Sequence, residues 1–335
     1  WPGQYLPTEK ELVKFPLSRD LSCALRTHYA DGEGAAVRLW QLDMTERFLH
    51  FYERASRPGT SMDERWRLWR KMGRFAPVPT TPDGMKRARE MFEAVWPRYG
   101  QSLDAIAAGG AAVREAAPGV LGDVMQLLAC RGRTLPPVLV VFVGFFENNG
   151  FVERSGGLDV VGIPAELAET QRPLTMAREF TQLVHRWKAR LSGRRERRVA
   201  RAVVSEGLAM HAGAALVPGR TVEEYVMEPE SGWWASCVQR REEILRGVRE
   251  SLTAAVSDSL SRRTGDERSR GTGAPGGPAD RQREARAAGW WVVEHWLRQG
   301  ASLADIAGWD EDSLVQRADR AIGELLVSPL PTASP

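Results

Sequence analysis

Four side chains able to do chemistry stand close together in the middle of the chain: Arg178, Glu179, Gln182 and His185. On a helix, offsets of four and seven return to nearly the same angle, so Arg178, Gln182 and His185 share a stripe, with Glu179 about a quarter-turn aside. A guanidinium is a permanent cation that grips a carboxylate or phosphate through paired hydrogen bonds. A glutamate in a dry cleft has its pKa raised toward neutrality and moves protons. An imidazole at His185 would orient the group or exchange protons near neutral pH. Together these types suit metal-independent acid–base chemistry on a small anion: condensation, cyclisation, isomerisation or elimination. The plainer reading is that the residues fill an inert helix, since a lone helical histidine is more often packed than catalytic.

The elements that position them are legible nearby. Pro173 suits the first turn of the helix carrying Arg178. The apolar, β-branched run Val138 to Val143, bounded by proline and glycine, reads as a buried strand, and Leu158 to Ile163 as a second. A further helix holds Ser205, Glu206, Gly207, Leu208 and Ala209, and another runs from about Cys237 to Leu260. Upstream, the first hundred residues are expected to be mainly helical. One helix begins at Asp43, one covers Met62 to Phe75 with Trp66 and Trp69 three apart, and one starts at Pro82 and ends near Pro97. These aromatic pairs read as core packing. Another helix spans about Gly119 to Cys130. Residues 262–283 are rich in glycine and proline, have no apolar face and read as a mobile loop.

These pieces, in this order, resemble a large family of predicted zinc-dependent proteases of the gluzincin type. Leu139 to Gly144 with Asn148-Asn149-Gly150 is similar to the strand and turn ahead of the family's zinc helix, and Gly156 to Gly162 to its next strand. Ala200 to Ala209 is similar to the glutamate motif of its second helix, and Gly289 to Ile306 to its C-terminal helix and loop. The similarity runs from about Gly100 to Leu326. The resemblance implies an α+β, mainly helical fold, a zincin-like scaffold with a small sheet and a helical N-terminal part. It implies a helical subdomain over 1–110 and a core over 111–335. In the family two histidines of His-Glu-x-x-His bind zinc, and an acidic ligand from the second helix closes the site. Here Arg178 and Gln182 stand at the histidine positions while Glu179 and Glu206 remain. Neither guanidinium nor amide is a zinc donor, and two carboxylates alone make a poor zinc cage.

The resemblance therefore implies a scaffold without the peptidase metal, and no cofactor is expected. Glu206 would approach the Arg178 stripe, with Arg178 offsetting its charge. Glu179, then Glu206, are the acid–base candidates, with His185 beside them. Arg178, Gln182, Trp187 and His211 are candidates for holding substrate, although His211 lies about 140° around its helix from Glu206. One alternative is a catalytically silent pseudopeptidase that binds a peptide or protein. A third reading is a rebuilt metal site from Glu179, His185 and Glu206. Tryptophans at 187, 233–234, 290–291 and 296 would wall a pocket for an aromatic substrate, or pack in the core.

Composition sets the bounds. A chain of 335 residues with 43% hydrophobic content supports one large domain or two packed ones. A formal charge of +3 is too small to suggest a nucleic-acid protein, and no apolar run approaches the roughly 18 residues that cross a bilayer. Five lysines beside 41 arginines fit a high-GC genome. Between Arg186 and Arg201, eight basic residues oppose only Glu196, which reads as a solvated loop or an anion-recruiting rim. Three scattered cysteines form no disulfide framework, so a cytoplasmic location is expected; the start at Trp1 is equally compatible with a trimmed leader.

Overall fold

The computed structural model describes residues 26–29, 38–72, 82–131, 135–147, 150–155, 157–191, 197–226, 232–253, 255–256 and 278–327. It divides into two compact units, one of Trp1–Gly122 and Arg133–Glu179, the other of Asp123–Gly132 and Phe180–Pro335. The chain is mainly helical with one mixed sheet, an α+β architecture. No described helix is long and apolar enough to cross a membrane. The Asn148-Asn149 turn, residues 192–196 of the basic run and residues 262–277 of the expected loop lie outside the described residues.

The first unit is built on a five-stranded sheet of order β1-β2-β3-β5-β4. The strands are β1 (Arg26–Tyr29), β2 (Arg38–Asp43), β3 (Val138–Phe142), β4 (Phe151–Ser155) and β5 (Leu158–Pro164). β2, β3 and β5 run parallel, flanked by antiparallel β1 and β4. Strand β3 reads Val-Leu-Val-Val-Phe and every residue is buried, as expected of a strand covered on both faces. Gly162 of β5 pairs with Phe151 of β4, and a side chain there would overlap the Phe151 ring. Glycine thus opens the space in which that ring crosses the sheet. The sheet recruits β1 and β2 from the segment expected to be helical.

Helices α1 (Thr45–Ala55), α2 (Met62–Met72) and α3 (Pro82–Leu127) connect β2 to β3. Asp43 ends β2 instead of opening the helix; its Oδ1 accepts the Thr45 N–H at 2.8 Å, and Oδ2 meets Arg114 at 2.9 Å. Pro97 and Pro118 lie inside α3, where helix ends were expected. Each interior proline costs about 3 kcal/mol. Phe92, Trp96, Tyr99, Ile106 and Val113 bury one continuous face, each worth about 1.5–3 kcal/mol, and together outweigh that cost. Trp66 and Trp69 stack at 4.9 Å and Phe48 meets Tyr99 at 4.9 Å, so the aromatic pairs are core.

The second unit centres on two crossing helices, α5 (Val199–Leu216) and α9 (Pro278–Arg298). Around them lie the later part of α4 (Arg172–Lys188), α6 (Val222–Val226), α7 (Trp233–Gln239), α8 (Arg241–Ser251), α10 (Leu303–Ala307) and α11 (Glu311–Val327). Residues 278–283, expected as loop, open α9. The helix expected over Cys237 to Leu260 is instead two, parted at Arg240 and ended at Ser251. Short strands β6 (Arg197–Arg198) and β7 (Ala255–Val256) pair. Lys188 donates to the carbonyls of Leu128 and Ala304, both at 2.6 Å, satisfying carbonyls at two helix ends.

Candidate functional site

Helix α4 has an apolar face at Phe180, Leu183, Val184 and Trp187, spaced at the offsets of a helical stripe and all buried. Trp187 is therefore a core residue, only 7% exposed, and not a wall for substrate. The polar residues of the helix distribute over both units. In the first unit Arg178 is half-buried and Glu179 is 4% exposed. The Glu179 side chain lies against Gly150, where an added Cβ would sit 3.0 Å from its carboxyl carbon. Gly150 precedes edge strand β4, so a carboxyl group stands at the start of that edge.

In the second unit, Gln182 Nε2 donates to Glu206 Oε1 at 3.3 Å. Within this unit Arg286 lies beside Glu206, its Nε 3.9 Å from Oε2. Glu206 and Arg286 retain 24% and 17% exposure, so the carboxylate is reachable while its cation is held mostly under cover. At 3.9 Å the pair is near the limit of an ion pair. Sequence reasoning assigned the charge-offsetting role to Arg178 and overlooked Arg286. Eighty residues separate it from Glu206, and no spacing rule singles it out of an arginine-rich segment.

His185 is fully buried and its Nδ1 is 3.1 Å from the Ser205 hydroxyl. Its Nε2 has no hydrogen-bond partner among the described residues. Burial, aided by the nearby Arg201 charge, lowers its pKa to about 3. The imidazole is thus neutral at neutral pH, which corrects its expected role in proton exchange. A serine–histidine hydrogen bond is part of a nucleophilic triad, but among the described residues no acid orients the other nitrogen. Arg201, expected in a solvated loop or rim, is 4% exposed and meets Glu311 at 3.3 Å.

His211 stands apart. Its Nε2 donates to the Trp290 carbonyl at 3.0 Å and its ring stacks on Trp290 at 4.0 Å. Burial lowers its pKa. It supports α9 and is not brought to Glu206. Trp290, Trp291 and Trp296 are each less than 10% exposed, in keeping with core packing. Among the described residues no three His, Cys, Asp or Glu side chains group so as to hold a metal ion. The rebuilt set of Glu179, His185 and Glu206 is therefore not found among them.

A second carboxyl group escaped sequence reasoning. Glu166 follows β5 and accepts the Phe146 N–H at 3.2 Å, while its Oε2 is buried without a partner among the described residues. Phe146 has φ of 59°, an uncommon conformation for an aromatic residue, just past the carboxyl end of β3. Tyr99 donates to the Gly144 carbonyl at 2.7 Å, closing the same corner. Desolvation raises the Glu166 pKa above the usual carboxylate range, against backbone hydrogen bonds and Arg98, which lower it. For an acid, a raised folded pKa means stability fully present below the unfolded value of 4.5 and lost as pH rises through the folded value. Glu166→Gln should therefore melt a few degrees higher than the parent at alkaline pH and no higher at acid pH. Equal pH dependence in parent and variant would contradict this placement of the charge. No family model, curated protein or solved structure matches this chain.

Proposed function

We propose that this protein is a metal-independent enzyme that moves a proton on a small anionic compound, with Glu206 as acid–base group and Arg286 and Gln182 as the groups that hold substrate. The reading is supported chiefly by a reachable carboxylate set between an amide at 3.3 Å and a guanidinium at 3.9 Å. Arg286 would turn from Glu206 to a substrate carboxylate or phosphate, forming the paired bonds that a guanidinium favours. Glu206 takes a proton from the carbon beside the bound anion. Returning the proton elsewhere gives isomerisation, and returning it to a departing group gives elimination. This shifts the leading role from Glu179, which burial shields, to Glu206. The setting proposed for such an enzyme is bacterial secondary metabolism.

The test is solvent exchange. A panel of oxo-, hydroxy- and aryl-carboxylates incubated in deuterated water with the protein should show deuterium entering one class, read by NMR. Glu206→Gln should slow that exchange by about a hundredfold or more, with its melting temperature held near the parent's. Undiminished exchange in the variant would sink the assignment.

One observation favours a second reading. Strand β4 ends the sheet and, among the described residues, pairs only with β5, with Glu153 and Arg154 exposed. An open strand edge accepts an extended peptide by strand addition. A silent pseudopeptidase would show slowed amide exchange along β4 on adding peptide and no deuterium transfer to the carboxylate panel.

A further inference from the structure

A cleft of about 420 Å³ opens in the second unit between the end of α9 and helix α11, sharing no lining residue with the Glu206 cluster. Trp309 is its half-exposed aromatic lining. The nearly buried Trp296 packs against it edge to face, 4.7 Å away at an interplanar angle of 86°. A flat ring entering the cleft would meet the exposed part of Trp309, held in place by that contact. The cleft also carries charge. Arg317 holds its guanidinium 4.3 Å over the Trp309 ring, and Arg320 lies one turn further along α11. Neither arginine forms an ion pair among the described residues.

The carboxylate beside them is Glu324, which hydrogen bonds hold and which the Arg320 charge also stabilises. Glu324 accepts from His295 at 2.8 Å and from Gln299 at 2.9 Å. Those bonds tie it to the end of α9, and the cleft is lined by two cations and this one anion. The volume falls within the roughly 300–1,000 Å³ of small-molecule pockets.

We propose that this cleft binds a small aromatic carboxylate, its ring against Trp309 and its carboxylate on Arg317 and Arg320. The inference stands apart from the acid–base reading, since it uses none of the same residues. The test uses full-length protein labelled with fluorotryptophan and fluorine NMR, the Trp309 signal being assigned from Trp309→Phe. Indole-3-acetate should shift the Trp309 and Trp296 signals saturably, and neutral indole or inorganic phosphate should bind at least about tenfold more weakly. The double variant Arg317→Ala, Arg320→Ala should lose about tenfold in affinity or more. Arg320→Gln alone, at an exposed position that supports no packing, should show a smaller loss in the same direction. No shift with indole-3-acetate, a uniform shift of all tryptophans, or unchanged affinity in both arginine variants would overturn the site.

Discussion

Lowering the pH from neutrality to about 4 is expected to remove about 3 kcal/mol of stability through His185 alone. The sign follows from burial. His185 sits fully buried with a pKa of about 3, against 6.5 when exposed. Unfolding frees the ring to take a proton at any pH below 6.5, while the folded state refuses it until about 3. Stability is thus fully present above the unfolded value and falls as pH drops through that window. The carboxylates Asp305, Asp310, Asp319 and Glu324, whose pKa values are lowered by hydrogen bonds, add losses only near and below the ordinary carboxylate range. Glu166 acts with the opposite sign, so comparison with a variant isolates the histidine. His185→Gln keeps a group able to meet the Ser205 hydroxyl and carries no titrating proton. Its unfolding free energy, read from urea titrations at successive pH values, should change less between pH 7 and 4 than the parent's by that same 3 kcal/mol or so. Parallel curves for the two proteins would show that the imidazole is not held neutral by burial.

Placing a side chain at Gly207 is expected to be more damaging than any removal of its neighbouring carboxylate. A Cβ at Gly207 would sit 2.6 Å from the Gly289 carbonyl carbon and 2.7 Å from Val293 Cγ2. A Cβ at Gly289 would in turn stand 3.0 Å from the Gly207 nitrogen. The neighbours being struck are mainly backbone, which cannot rotate aside. Helices α5 and α9 would have to part, opening the packing that organises the second unit. Alanine gains about 1 kcal/mol of helix propensity over glycine, so Gly207→Ala understates the clash, whereas β-branched Gly207→Val does not. Overpacking typically costs about 1–3 kcal/mol, and with unyielding backbone on the other side Gly207→Val should lie at or above the top of that range. The melting temperature should fall by well over 10 °C or the variant should fail to accumulate as folded protein. A fall of only a degree or two would mean that the crossing is looser than described. Glu206→Gln, one position away, keeps the helix crossing and should melt near the parent.

These two positions show what a linear reading can and cannot reach. The Ser205-Glu206-Gly207 segment stood out by resemblance, and Glu206 drew attention because it stands where that family has an acidic ligand. What Gly207 does depends on Gly289, more than eighty residues away, and glycine leaves no periodic mark. His185 was visible as a member of a helical stripe, but stripe geometry does not say whether the stripe meets water or core. Whether its imidazole carries a charge follows from desolvation and from Arg201, both decided by packing. Arg286 is the same case. This arginine, one among 41, comes beside Glu206 because α9 crosses α5 at the paired glycines.

By itself the sequence determined the local elements. The strands at Val138 to Phe142 and Leu158 to Pro164 and the helix entered at Pro173 follow from propensity and periodicity, which act over a few residues. Tertiary structure alone decided that β1 and β2 join the sheet, that α3 runs through Pro97 and Pro118, and which cation faces Glu206. The physical reason is common to all three. Each depends on burial or charge shared between groups distant along the chain, and such energies exist only once the fold has brought those groups together.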